Sequence, residues 1–514
     1  MKTTIRLIAI AGIIAFLASC SNEIEPGLSY NSYSYASLDQ DGGNWKTIYL
    51  TSAAQVPVAA PADPTSQSYL DELAALKSAS ANPTADQMDR INYWSTNGVI
   101  RWNEIARELV AKYFILSQPN ADGSYSFPDP AHPDVYPFFP FASPPYASRA
   151  YAYLSAGTFD AMISSWYYKY QYNREAPSKY DASIKTSLPV SDLPSYPSED
   201  AVMAGFSRTL LTAMFPLESA YLSQMAADHE NSRIWAGVNV TSDIVAGDTL
   251  GKKIAQAFLG RAKADGMGKT LGTKAQWDSI VNYWASSGQP HWESLEIPAR
   301  QPLAVNFGHV KTWTFDPSLI STTFRLPPPP AVGTTEFQTA LDEVLDKSKH
   351  ATKEELDIAF KWDDGTSTYS PPGHWNAIAS PYIHDAQMNP LRAARVLAYM
   401  NMAIEDAGIA VWDNKYFYYF PRPTNENADV KTVMGVPNFP SYPSGHSGFS
   451  AAAATVLGHF FPAEASYFMD QANEAAMSRL YGCIHYRFDC EDGVTLGQNV
   501  GQYAITMAAS DGAE

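Results

Sequence analysis

Three short motifs in the last quarter of the chain bring together side chains able to hold and attack an anion. They are Lys415-x6-Arg422-Pro423, Pro443-Ser444-Gly445-His446 and Ser478-Arg479-x5-His485-x3-Asp489. Arg422 and Arg479 can each present a planar guanidinium fork to two oxygens, while Lys415 supplies a compact point charge. Three cations converging in one pocket repel one another unless a multiply charged anion joins them. Ser444 adds a hydroxyl, and Gly445 lets a backbone N–H approach closely. An aspartate at position 489 can accept one ring N–H of His485 and leave the other nitrogen free as a nucleophile or metal ligand. His446 is a second candidate acid–base group. The ligand that satisfies this set is a tetrahedral oxyanion.

Helices must carry these groups. The Pro-Ser-Gly-His motif precedes an alanine-rich run, 447–461, whose helix start would aim unpaired N–H groups and the positive dipole end at the anion. Gly482 allows a break between Arg479 and His485, so that two elements can aim at one point. His485 and Asp489, four apart, would share a helical face. Pro421 and Pro423 fix the backbone on both sides of Arg422. Apolar residues recur at three- and four-residue intervals over 84–116, 147–173, 200–229, 246–266, 391–411, 447–461 and 463–480. No series of alternating strands and no fixed-period repeat stands out. The fold class expected is all-α, a helical bundle or two bundles.

Two irregular stretches, 117–148 and 288–333, are crowded with proline and aromatics. They read as ordered loops, either shaping access to the site or covering helix faces. A boundary near 333 would separate an N-terminal helical half (68–333) from a C-terminal half (334–514) that carries the motifs, the two packed as one unit.

The 514 residues are 46% hydrophobic and include 12 Trp, 31 Tyr and 23 Phe, enough for a large core. A net charge of −18 disfavours nucleic acid or an anionic membrane surface as partners, so an anion site must be a local cationic pocket. Lys2 and Arg6 precede an apolar run over 7–16 that is too short to span a membrane and reads as a secretory signal over 1–20. Its ending, Leu17-Ala18-Ser19-Cys20, resembles a bacterial lipobox. That implies acylation of Cys20, export, and anchoring at the outer membrane, cell surface or periplasm, with membrane contact through the lipid alone. Residues 21–67 read as a polar, partly disordered tether. Cys483 and Cys490 flank His485, and in an exported protein they could form a disulfide if their geometry allows it.

The motif set resembles the superfamily that joins type 2 phosphatidic acid phosphatases, bacterial acid phosphatases and vanadium-dependent haloperoxidases. The flanks Asp406-Ala407-Gly408, Trp412-x2-Lys415, Phe439-Pro440-Ser441-Tyr442-Pro443 and His485-Tyr486-Arg487-Phe488-Asp489 are similar to the haloperoxidase branch. So, less specifically, are Pro371-Pro372-Gly373-His374-Trp375-Asn376 and the prolines before Gly333. The resemblance implies helical bundles of the haloperoxidase and acid phosphatase type. It implies that Lys415, Arg422, Ser444, Gly445 and Arg479 hold the oxyanion's oxygens, with His485 at one apical position and His446 acting from the other side.

Two chemistries fit that frame. A haloperoxidase would carry vanadate, its vanadium bonded to His485, and would use hydrogen peroxide and a halide. A phosphatase would need no cofactor: His485 would attack a phosphate ester to form a phosphohistidine, and His446 would protonate the leaving group. The chain's length and its lack of membrane helices favour the haloperoxidase. Phe439, seven residues before His446, resembles the aromatic of chloroperoxidases, and with Trp412 it is a halide-pocket candidate. A third reading, a non-catalytic surface lipoprotein binding glycans or peptides by aromatic stacking, leaves the anion constellation without a purpose. Oligomeric state has no sequence signal.

Overall fold

The computed structural model describes residues 31–514, and its helices begin where the sequence supplies caps. Ser66, Thr84 and Asn97 each accept a backbone N–H and open α1 (Gln67–Ser80), α2 (Ala85–Trp94) and α3 (Gly98–Tyr113). Pro144 opens the 29-residue α4 (Pro144–Tyr172). There follow α5 (Glu199–Met214), α6 (Ser219–Trp235), α7 (Thr241–Ala262) and α8 (Lys274–Ser287). After a long loop come α9 (Thr335–His350), α10 (Lys353–Lys361) and α11 (Ser370–Asp385). The last four are α12 (Pro390–Tyr418), α13 (Gly445–Phe460), α14 (Ala465–Tyr481) and α15 (Arg487–Ala508). Among the described residues the only β feature is an isolated bridge between Pro119 and Tyr125. The fold is all-α. No helix among the described residues is long and apolar enough to cross a membrane.

Several expectations need correction. The single helix expected over 84–116 is two, because Asn97 leaves the helical path to cap α3. The one expected over 200–229 breaks at Phe215, where Pro216 cannot donate to a continuing ladder. The region read as a partly disordered tether is an ordered strap wherever it is described. Trp45, Leu50 and Val56 are buried. The Asp160 carboxylate accepts the backbone N–H groups of Ile48, Tyr49 and Leu50 at 2.6, 2.9 and 2.8 Å. A few apolar anchors outweigh the polar composition there. The signal segment and Cys20 lie outside the described residues. Residues 32–514 form one compact unit, in which the halves on either side of 333 are packed together.

The absence of a repeat is also overturned. Helices of 29, 16, 17 and 22 residues occur twice in the same order, as α4–α7 and as α12–α15. Each start lies 246 residues after its counterpart, as 390 − 144 and 487 − 241 both give. Interior contacts repeat as well. Arg149 Nε donates to Asp265 at 2.6 Å and Tyr153 joins the same carboxylate at 2.8 Å. Arg395 Nε donates to Asp511 at 2.7 Å, with Tyr399 at 3.0 Å. Glycines let the crossing helices touch: a Cβ on Gly251 would lie 2.1 Å from Val202 O, and one on Gly497 would lie 2.3 Å from Gly448 O. The long helices α4 and α12 pack against each other and join the two halves, with Asn401 Nδ2 donating to Ser155 Oγ at 3.0 Å.

Candidate active site

Lys415 occupies the last turn of α12, fully buried, and its Nζ donates to Pro440 O at 2.8 Å and Ser441 O at 2.7 Å. Arg422 is fixed just beyond, its Nε donating to Phe439 O at 3.0 Å and its Nη1 to Ile484 O at 2.7 Å. That leaves Nη1 3.4 Å from His485 Nε2. Arg479, at the end of α14, donates from Nη1 to Trp362 O at 2.6 Å. Ser444 caps α13, accepting Ser447 N–H at 3.3 Å, and its own N–H reaches Asp489 O at 2.9 Å. Gly445 and His446 are the first residues of that helix, where unpaired N–H groups gather.

His485 Nδ1 lies 2.8 Å from Asp489 Oδ2, which also accepts the Tyr486 N–H at 3.2 Å and the Ser441 hydroxyl. The pairing expected from spacing is present, by a different route. His485 is not helical: α15 starts at Arg487, and Asp489 reaches back over its first turn. The break expected between Arg479 and His485 is present, with α14 ending at Tyr481 and Gly482 as its cap, but the left-handed residue is Cys483, φ +60°, and Gly482 keeps −73°. Cys483 and Cys490 are buried free thiols, not a disulfide. Burial pushes the Cys483 thiol up to about 11.

Burial and crowding set the charges. Burial first, then Arg422, Lys415 and Arg479, hold His485 well below its ordinary range, so its imidazole is neutral. Burial and then Arg479 do the same to His446. Burial lowers Arg422 to about 9 and Arg479 to about 10. Lys415 is pushed down by burial and by Arg422. Burial raises Asp489 to about 7 against the Ser441 hydrogen bond and the charge of Lys415. A bound anion would oppose the lowering of all three cations.

The donor set suits an oxyanion. Among the described residues Arg422 Nη2, Arg479 Nε and His446 Nε2 are buried polar atoms without a partner. Among the same residues no three carboxylate, thiol or imidazole groups converge to hold a metal cation. The halide-pocket candidates Trp412 and Phe439 pack together, ring centroids 5.0 Å apart, and Lys415 Nζ and the Arg422 guanidinium each lie 5.2 Å from the Phe439 centroid.

The motifs pass over two contributors. Ser441 stands beside the His485–Asp489 pair, 3.3 Å from Nδ1. The segment between α10 and α11 supplies Asp363 and Asp364, whose charges act on Arg479. The first turns of α11 supply His374, stacked on Trp362 at 4.2 Å and 3.1 Å from Asp364 Oδ1. The polar cluster Trp362-Asp363-Asp364 ahead of Gly373-His374-Trp375 is the sequence signal that could have marked it.

Residues 395–510 match the family model of the PAP2 superfamily. No curated protein matches the chain. Among solved structures it is similar to the first bacterial vanadium-dependent iodoperoxidase, with a TM-score of 0.58 and 21% identity, covering 83% of this chain and 97% of that one. The apo form of a bacterial vanadium-dependent chloroperoxidase gives 0.52 and 14%, over 71% and 94% of the two chains. A holo form gives 0.51 and 15%, over 77% and 98%. At these identities the likeness is one of fold. The match to the PAP2-superfamily model thus falls on residues 395–510, within an all-helical fold similar to that of vanadium-dependent haloperoxidases.

Proposed function

We propose that the chain is a vanadate-dependent haloperoxidase acting at His485. The observation that carries this reading is a buried imidazole whose Nδ1 is bound to Asp489 and whose Nε2 lies 3.4 Å from Arg422 Nη1, with the charges of Lys415 and Arg479 also acting on the ring. His485 Nε2 would hold vanadate, and Lys415, Arg422, Ser444, Gly445 and Arg479 would hold its oxygens. Bound there, vanadate supplies the Lewis acidity that lets hydrogen peroxide oxidise a halide. Asp489 keeps the ring proton on Nδ1 and fixes the ring's orientation. His446, neutral through burial, can accept a proton from hydrogen peroxide at Nε2. Trp412 and Phe439 line the approach for halide and keep water from the cations. Export and anchoring through Cys20 would place the enzyme outside the cytoplasm.

The test is a paired assay of the protein lacking residues 1–20: halide oxidation by peroxide with and without orthovanadate, and phosphomonoester hydrolysis. Oxidation that requires orthovanadate supports the proposal. Hydrolysis without halide oxidation at any vanadate concentration overturns it in favour of phosphoryl transfer through a phosphohistidine at His485.

A further inference from the structure

The first half repeats the site as well as the scaffold. Lys169, Ser195, Ser198, Arg233 and Asp243 stand 246 residues before Lys415, Ser441, Ser444, Arg479 and Asp489, the interval that separates Pro144 from Pro390. Their contacts repeat too. Lys169 Nζ donates to Pro194 O as Lys415 Nζ does to Pro440 O. Ser198 N–H reaches Asp243 O at 3.0 Å, as Ser444 N–H reaches Asp489 O at 2.9 Å.

Four positions that would touch an anion have changed. Glu199 stands for Gly445, Asp200 for His446, Asn239 for His485 and Ala176 for Arg422. The new carboxylates take the remaining cations. Glu199 Oε2 is 2.7 Å from Lys169 Nζ. Asp200 Oδ2 is 3.7 Å from Arg233 Nη1, while its Oδ1 is 2.9 Å from His229 Nε2. Asn239 turns its amide to Ser195 O at 3.1 Å and Asp243 Oδ2 at 3.3 Å, and Asp243 pairs with Arg174. Lys169 and Arg233 thus meet carboxylates from two positions, 199 and 200, whose counterparts in the second half, Gly445 and His446, bring none to Lys415 or Arg479. Over these groups lies a cavity of about 330 Å³ lined by Ala176, Glu199, Asp200, Arg233 and Asn239, and by Tyr35 of the strap. Arg233 is 6% exposed, and among the described residues its Nη2 has no partner.

We infer that the first half holds a second oxyanion pocket that neutralises itself: the Glu199 and Asp200 carboxylates occupy the anion's place on Lys169 and Arg233. The chain as it stands therefore takes one oxyanion per molecule, and removing the two carboxylates creates a second phosphate- or vanadate-binding site. Local charge, not fold, sets that limit.

The test counts orthovanadate and inorganic phosphate bound to the purified chain by equilibrium dialysis, with thermal melts alongside. The wild-type chain is expected to bind one equivalent, and Arg422→Ala to lose at least tenfold in affinity for it. Glu199→Gly/Asp200→Asn placed on Arg422→Ala should regain one equivalent, show a melting temperature that rises with phosphate, and lose both again when Arg233→Ala is added. Two equivalents on the wild-type chain overturn the inference, and so does a folded Glu199→Gly/Asp200→Asn variant without the added site. If that variant does not fold, Asp200→Asn alone, whose amide oxygen can still accept from His229, is judged by the same criterion. These readouts concern Lys169 and Arg233, so they are decided separately from the reaction assigned to His485.

Discussion

The two halves of this chain share a scaffold and part ways at the anion. Each packs a 29-residue helix against a 16- and a 22-residue helix, with a 17-residue helix between them in sequence. Each carries a buried arginine–aspartate–tyrosine cluster. Each uses a buried aspartate, Asp160 or Asp406, to grip the backbone of an irregular segment, and burial raises both carboxyls to about 6. None of these devices depends on what the site does. The halves differ at a handful of positions at helix ends, where Gly445 and His446 of one correspond to Glu199 and Asp200 of the other. A packed bundle tolerates that exchange because the ends of its helices contribute little to the core.

The largest asymmetry should appear in catalysis. His485→Ala removes the nitrogen on which either chemistry depends and should lower turnover by about a thousandfold or more, measured as kcat in whichever assay the chain supports. Asn239→Ala, at the matching position, should leave turnover unchanged. Comparable losses in both would mean that the halves cooperate in one reaction.

Stability should be symmetrical. Arg395→Ala strands the Asp511 carboxylate in the core, and Arg149→Ala strands Asp265. Each should cost about 3–5 kcal/mol, read as a fall in Tm by calorimetry. A large cost in one half only would show that the shared cluster is structural there and redundant in the other.

Glu405 breaks the symmetry with pH. Its counterpart 246 residues earlier is Phe159. Burial pushes Glu405 up to about 8 from an ordinary 4.5, although Trp313 Nε1 donates to it at 2.6 Å. The folded-state value lies above the unfolded one, so the protonated form stabilises the fold. That contribution is complete below about pH 4.5 and is lost as pH rises through 8. Glu405→Gln should match the wild type near pH 4.5 and exceed it near pH 8.5 by a few kcal/mol at most. Parallel unfolding curves at both pH values would remove the effect.

Sequence made the site legible and much of its support illegible, for identifiable reasons. Lys415, Arg422, Ser444, Arg479, His485 and Asp489 mark the candidate site through identity and spacing, which a sequence displays directly. Ser441 and the Trp362–His374 segment reach the site only through packing, which spacing cannot show. Helix α15 shows weak periodicity because its contact face is built from Gly493, Gly497 and Gly501 instead of large apolar residues. The duplication is faint in the sequence for a similar reason. Its shared residues, such as Lys169 with Lys415 and Arg233 with Arg479, are single positions spread across long helices whose other surface residues differ.

The glycine crossings give the finest test, because they separate scaffold from site within one substitution. At Gly251 a Cβ would meet Val202 O at 2.1 Å and Phe206 N at 2.7 Å, both rigid backbone atoms. At Gly497 it would meet Gly448 O at 2.3 Å and Ala452 N at 3.0 Å. Neither neighbour can turn aside as a flexible side chain would, so the helices must part, at a cost of about 1–3 kcal/mol in either half. Gly260, exposed on α7 with nothing within 4 Å, is the control: Gly260→Ala should raise stability by about 0.5–1 kcal/mol through helix propensity alone. Only Gly497→Ala displaces a helix that carries Asp489, whose main-chain carbonyl anchors Ser444 and whose side chain orients His485. Gly497→Ala should therefore lower kcat as well as Tm, while Gly251→Ala lowers Tm alone. If both variants lose Tm and neither loses turnover, the crossing helices set the fold but not the alignment of His485 with its anion.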